Sequence, residues 1–387
     1  MISWILGPKS RYNTGIAKYS LELITGLDRL YEKKIEILSY EDGGKPNSLK
    51  RYIWQFIFLP LLVLFKKRNS DLIIYQEAFV FIALFRFFSR KKTITVIHHV
   101  PENNDHSKKG LYLKLLFSIL PKNNERIIYI VPSEFTKRSF TKKYNIKSDK
   151  VTVVYNIIDS NDSNDSNDSN DSNDSNDSND SNDSKCENIG LKLDEEIKAS
   201  QDIVAQRKLG ALILTNIGSF EIRKNVNVLP TALAKVKEVN PELKLFLLKV
   251  GSFIDLNHKN EFVGLCEKLE IDYVLVGDAS DAFINFSYQQ TDLYLAPSRY
   301  EGFGRTVIEA QKWKSIVLAS NITAHKEVMD DTALYVDEYN SPEEWASKIM
   351  MFTTLTEKKK LDAVAKSDMN IKRFSIENVT KELMKVL

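Results

Sequence analysis

Short apolar runs alternate with stretches of helical spacing twice along this chain, and a pure Ser-Asn-Asp repeat separates the two series. In the first series, 2–6, 35–40, 72–75, 94–97, 127–131 and 151–155 have strand length and are rich in Ile, Val and aromatic residues. Between them, 16–31 carries apolar residues at helical spacing, and 133–144 opens with the capping residue Ser133. In the second series the strand candidates are 211–217, 243–250, 273–276, 293–296, 316–319 and 333–336. Helices are expected at 193–208, 226–239, 306–313, 343–353 and 376–386. Strands that alternate with helices need a crossover between neighbours, so the pattern calls for parallel sheets covered on both faces. Such sheets bind ligands beyond the carboxyl ends of their strands, and two of them facing each other would form a cleft.

The chain of 387 residues is long enough for two such domains. Residues 160–183 are eight copies of Ser-Asn-Asp and offer no apolar side chain to bury. Burial cannot offset the ordering entropy of such a segment, so the expectation is a disordered acidic linker over 159–184. The domains are then 1–158 and 185–387, with the last helix free to cross back to the first domain.

Charge is split between the halves. Residues 1–158 carry a net +14, residues 185–387 a net −3, and nine aspartates between 159 and 183 bring the total to +2. A basic first half suits an acidic partner, such as a phosphate-bearing substrate or an anionic membrane surface. Two segments combine cations with aromatics, 50–68 and 79–92. Each reads equally as a membrane-interface segment or as a core helix with solvated ends. No nucleic-acid motif accompanies them. The two cysteines, Cys186 and Cys266, have no metal-ligand spacing and read as free thiols. No run of 18 apolar residues occurs, and the N-terminus MISWILGPKS lacks the order of a signal peptide. The default expectation is a cytoplasmic protein, peripheral on the inner face of the plasma membrane if the first domain meets lipid.

The sharpest chemical signal is Pro297-Ser-Arg-Tyr-Glu301-Gly302-Phe303-Gly304-Arg305-Thr306-Val-Ile-Glu309-Ala. A strand ends in a glycine-containing turn, and a helix starts near Arg305, where free N–H groups form an anion site. Gly302 and Gly304 allow close backbone approach. Glu301 in the turn and Glu309 one turn into the helix can accept hydrogen bonds from hydroxyls at two ends of a phosphate-centred ligand. Surface carboxylates beside a capping turn are the bland alternative. This string resembles the Glu-x7-Glu motif of glycosyltransferase family 4, retaining enzymes of the GT-B fold. The resemblance implies that Glu301 contacts the donor sugar and Glu309 the ribose hydroxyls. Arg305 departs from the small or apolar residues common at that place.

The resemblance extends along the chain. Ile217-Gly218-Ser-Phe-Glu-Ile-Arg223-Lys224-Asn is similar to the loop whose Arg and Lys bind the donor diphosphate. A basic pair there supplies leaving-group charge without a metal. Gly251 and Gly277 match further strand-end glycines, and Gly7 to Gly15 resembles the N-terminal glycine loop over the diphosphate. His98 and His99, in Ile97-His98-His99-Val-Pro101, stand at the strand end where the family places an active-site His; a buried core His is the alternative. Val131-Pro-Ser133 and Val154-Tyr-Asn156 also resemble family segments.

The whole implies a retaining hexosyltransferase of the GT-B fold, two Rossmann-like domains joined by the repeat linker. Its donor would be a nucleotide diphosphate sugar, with GDP-mannose favoured. Its acceptor would be a lipid-linked glycan of bacterial surface polysaccharide, such as O-antigen or capsule. No cofactor, metal or nucleic-acid partner is expected, and no Asp-x-Asp motif stands at a strand end. The rival readings are a nucleotide-sugar epimerase or phosphorylase of similar build, and a non-catalytic sugar-nucleotide-binding scaffold. No pyridoxal-binding lysine can be recognised, and the intact Glu301, Glu309, Arg223 and Lys224 speak for turnover.

Overall fold

The computed structural model describes residues 2–12, 14–41, 49–66, 70–85, 91–98, 100, 108–119, 125–158 and 182–387. They form two compact units, Met1–Asp159 with Arg373–Leu387, and Ser160–Lys372.

The first unit holds β1 (Ile2–Pro8), β2 (Ile35–Tyr40), β3 (Leu72–Gln76), β4 (Lys92–Val96), β5 (Ile127–Val131) and β6 (Val151–Val153). All pairings are parallel, in the order β2-β1-β3-β4-β5-β6. The interior strands β1, β3, β4 and β5 are buried along nearly their whole length because helices cover both faces. On one face the helix Gly15–Tyr31 buries Ala17, Tyr19, Leu23 and Leu27. Tyr19, Leu23 and Leu27 share a core with Trp4, Ile74 and Ile94, and with Ile376, Val379 and Leu383 of the C-terminal helix Ile376–Met384. Gly26 sits at that helix crossing, where a Cβ would overlap the Thr380 hydroxyl. The chain's last helix therefore belongs to the first unit. The helix Glu134–Tyr144 is capped as its sequence suggests, Ser133 Oγ accepting from Thr136 N at 3.0 Å.

Residues 49–66 form a helical run in which α turns (Leu49–Ile53, Leu59–Leu61) alternate with π turns (Trp54–Phe58, Leu62–Lys66). Pro60 lacks an N–H and its ring crowds the preceding turn, which widens the helix around it. Leu59 and Val63 are buried, but Leu49, Phe56, Ile57, Phe58, Leu61 and Phe65 are exposed. The stretch is thus neither wholly core nor wholly surface. The companion stretch 79–92 departs from the membrane expectation. Phe79, Val80, Phe81, Ile82 and Ala83 are all buried in the first unit's core, with Phe85 the one large apolar side chain at the surface among its described residues.

The second unit holds β7 (Leu212–Ile217), β8 (Leu245–Val250), β9 (Tyr273–Val276), β10 (Leu293–Ala296), β11 (Ile316–Ser320) and β12 (Leu334–Val336). The order is β12-β11-β10-β7-β8-β9, again parallel throughout. The order reverses direction between β7 and β10, and that switch point is where an open α/β sheet leaves a crevice at its strand ends. The helix Asn182–Lys208 precedes β7 and begins 11 residues earlier than the apolar pattern suggests, running back into the last Ser-Asn-Asp copy. Its Glu196 is buried and accepts from both Ser280 N and Ser280 Oγ at 2.7 Å. The other Ser-Asn-Asp residues, read above as a linker, lie outside the described residues. Helices that the sequence pattern did not delimit are Lys108–Ile119, Leu256–Lys268, Asp281–Gln289, Thr323–Met329 and Glu357–Ile371. Among the described residues no helix is long and apolar enough to cross a membrane.

Candidate active site

The carboxyl ends of β7 and β10 open into a pocket lined by Asn216, Ile217, Gly218, Lys224, Tyr294, Ala296, Ser298, Glu301, Thr306 and His325. Asn216 spans the switch point, its Nδ2 donating to Leu295 O at 2.8 Å. Gly218 leaves β7 with φ 157°, near extended, and its N donates to Val250 O at 2.8 Å. Gly251 has φ 140°, and a Cβ there would overlap the Gly218 carbonyl. Only glycine permits this contact, so Gly251 shapes the pocket from beneath rather than lining it.

The loop then turns through Ile222–Lys224 and delivers both cations to one carboxylate. Lys224 Nζ donates to Glu301 Oε1 at 2.6 Å, and Arg223 Nη1 to Glu301 Oε2 at 3.3 Å. Ser298 Oγ adds a bond to Oε1 at 2.7 Å. Glu301 is buried, and burial alone would raise its pKa. The charges of Lys224 and Arg223, with His325 beside them, outweigh burial and hold the carboxyl at about 2. Arg223 is fixed from its other side by Glu221, Nε to Oε2 at 2.8 Å.

The helix Arg305–Lys312 begins at Gly304, whose φ of 89° is left-handed and suits glycine. Thr306, in its first turn, lines the pocket. Glu309 does not line the pocket. Its Oε1 accepts from Arg305 Nε at 2.7 Å and its Oε2 from Tyr288 Oη at 3.0 Å, while that hydroxyl also reaches Thr306 O at 3.4 Å. Arg305, the residue that departs from the family pattern, thus binds the very carboxylate expected to meet ribose. Phe303 is buried, and Gly302 lies in the turn between Glu301 and Gly304. Gly277 packs under Phe253, whose ring would lie 3.3 Å from an added Cβ.

In the first unit, Gly15 opens the helix Gly15–Tyr31 with open space where a Cβ would stand. His98 is buried two residues beyond β4. Its backbone N–H donates to the buried Glu77 at 2.7 Å, and its ring meets Tyr19 edge-on at 5.0 Å. His99 lies outside the described residues. Sequence reasoning missed Asn216, Ser298, Tyr288, His325 and Glu77. His325 is the plainest case. It is the third residue of the short helix Thr323–Met329 after β11, its Nδ1 donating to Ser320 O at 3.0 Å, with burial lowering its pKa against the pull of Glu301. Only the neighbouring of β10 and β11 brings it to Glu301, and no local pattern marks that. Among the described residues no group of three His, Cys, Asp or Glu gathers as a metal site.

Comparison with known proteins bears on the family and the fold. Residues 198–366 match the family described as glycosyl transferases group 1, and residues 15–162 match glycosyltransferase family 4. No protein of curated function matches in sequence. Among solved structures, a glycosyltransferase from Rickettsia africae ESF-5 is 20% identical with a TM-score of 0.69, over 100% of this chain and 97% of that one. Anabaena HepE, solved with UDP and glucose, is 15% identical with a TM-score of 0.68, over 100% and 99%. WaaG, a glycosyltransferase involved in lipopolysaccharide biosynthesis, is 14% identical with a TM-score of 0.66, over 100% and 99%. With both units matched by its two family descriptions, the chain belongs to the family 4, group 1 glycosyltransferases of the GT-B fold, enzymes that use a nucleotide sugar.

Proposed function

We propose that the pocket at the ends of β7 and β10 holds the diphosphate and sugar of the donor, and that the enzyme transfers that sugar with retention to a lipid-linked glycan. The observation that supports this most is the meeting of Arg223, Lys224 and Glu301 at the sheet's switch point. A donor diphosphate competes for the two cations, and charge-assisted bonds to them stabilise it as a leaving group. Glu301, released from them, faces the sugar. Glu309, turned from Arg305 and Tyr288, takes the ribose hydroxyls. In the transfer the anomeric C–O bond to the diphosphate breaks and a bond to the acceptor oxygen forms. The departing diphosphate takes the hydroxyl proton, so the cations do the work a metal does elsewhere. His98 and His99 belong to the acceptor side in this reading.

Uridine donors head the panel, because HepE is solved with UDP-glucose and a trehalose-6-phosphate enzyme of the same fold with UDP-2-fluoro glucose. GDP-mannose stands beside them. The lipid-linked acceptor accords with the basic first unit and with the exposed apolar face of 49–66, which suits the inner surface of a membrane. The test is sugar transfer from a donor panel to lipid-linked glycans, with and without EDTA. Turnover that survives EDTA and falls about tenfold or more in Arg223→Ala and Lys224→Ala supports the reading. Turnover abolished by EDTA and restored by manganese contradicts the metal-free mechanism.

A further inference from the structure

Lys249, on β8, is fully buried and takes no part in the chemistry above. Its strand partners are the uncharged Asn216 and Leu275. Its Nζ donates to the Gly218 carbonyl, and to Val250 O at 3.1 Å. It also stands 4.5 Å from the centre of the Phe220 ring. Gly218 is a wall of the donor pocket, so Lys249 grips that wall from behind. The two acceptors match the two N–H groups of a neutral amine, and the ring face offers a place for the third N–H of an ammonium. The site is built for either state.

We propose that Lys249 is a positioning residue of the donor pocket, one that binds a proton as the donor's diphosphate enters and then backs the Gly218–Lys224 loop with a buried positive charge. This rests on the reading of the pocket as the donor site. Titratable groups around Lys249 come from few elements. The loop supplies Lys224, Arg223 and Glu221, with Glu221 paired to Arg223 and Glu301 paired to both cations. The helix Leu256–Lys268 supplies His258, 6.5 Å from Phe220 across the ring. Burial, with the charge of Lys224, lowers the Lys249 pKa to about 7. Glu301 already balances Lys224 in this structure, so a diphosphate laid on the pair leaves a net negative field, which favours the ammonium. A lysine kept only for stability fits poorly here, since a buried charge of this kind opposes folding.

The experiment is calorimetry of UDP-glucose and GDP-mannose in buffers of different ionisation enthalpy, from about pH 7 to pH 9. The diphosphate of these donors does not titrate in that range and their bases lose a proton only toward its upper end, so a proton taken up between about pH 7 and pH 8 belongs to the protein. The wild type is expected to take up a proton on binding, and its Kd to rise with pH, by up to about tenfold per unit. Lys249→Met is expected to bind several-fold more weakly at pH 7, with no proton uptake and a Kd flat in pH, while its Tm holds or rises. Binding without proton uptake in the wild type overturns the proposal, and needs no variant that folds. So does proton uptake that persists in Lys249→Met, or that vanishes instead in His325→Gln. If neither nucleotide sugar binds, the proposal falls together with the donor-site reading, a result distinct from binding without proton uptake.

Discussion

Glu301 sets the electrostatics of its pocket because three donors converge on it: Lys224, Arg223 and Ser298. Its folded pKa, near 2, lies below the ordinary 4.5. A depressed carboxyl contributes stability above its unfolded pKa and loses it as pH falls toward the folded value, here on the order of 3 kcal/mol. Glu301→Gln should therefore be less stable than wild type by that order at neutral pH. The gap should close as pH falls from about 4.5 toward 2, as read by urea unfolding. A gap independent of pH would mean the pairs are weak. At this scale the sequence was legible where chemistry repeats in a local string. The spacing of Glu301 and Glu309 and the Arg223-Lys224 pair announced themselves. His325 and Lys249 did not, because each reaches the pocket through strand neighbours far apart in sequence.

The strands were the most legible elements, since a buried parallel strand must be a short apolar run wherever it occurs. β2, β5, β9 and β10 fall on their expected residues, and the rest shift by a residue or two at their ends. Helices with few apolar positions were not legible. Glu357–Ile371 carries mostly polar and charged residues and buries only Ser367 and Asn370, so no apolar stripe marks it. The C-terminal helix Ile376–Met384 was legible as a helix, but its seat on Gly15–Tyr31 was not. That seat depends on the missing side chain at Gly26, against Thr380. Gly26→Leu should displace the helix and cost about 1–3 kcal/mol, seen as a lower Tm and faster proteolysis of the C-terminus. An unchanged Tm would show that the crossing does not need a glycine.

Over the whole molecule, the excess of positive charge lies in residues 1–158, and so does the exposed apolar face of 49–66. Charge attracts an anionic surface over about 10 Å at 0.1 M salt, and apolar side chains then hold it. The enzyme should float with vesicles rich in anionic lipid, and less so as salt rises. Replacing Phe56, Phe58 and Phe65 with Ser should weaken that binding by about tenfold or more, while transfer to a soluble acceptor persists. Flotation that ignores lipid charge and these three residues would return the face to some other partner. The donor pocket itself is tested most directly by titrating nucleotide sugars into wild type, Lys224→Ala and Glu309→Ala and measuring Kd by calorimetry. At least one UDP- or GDP-sugar should bind the wild type, and each variant should lose about 1.5–3 kcal/mol of affinity, the size of one charge-assisted contact. Wild-type affinity in both variants would contradict a donor site built on the ends of β7 and β10.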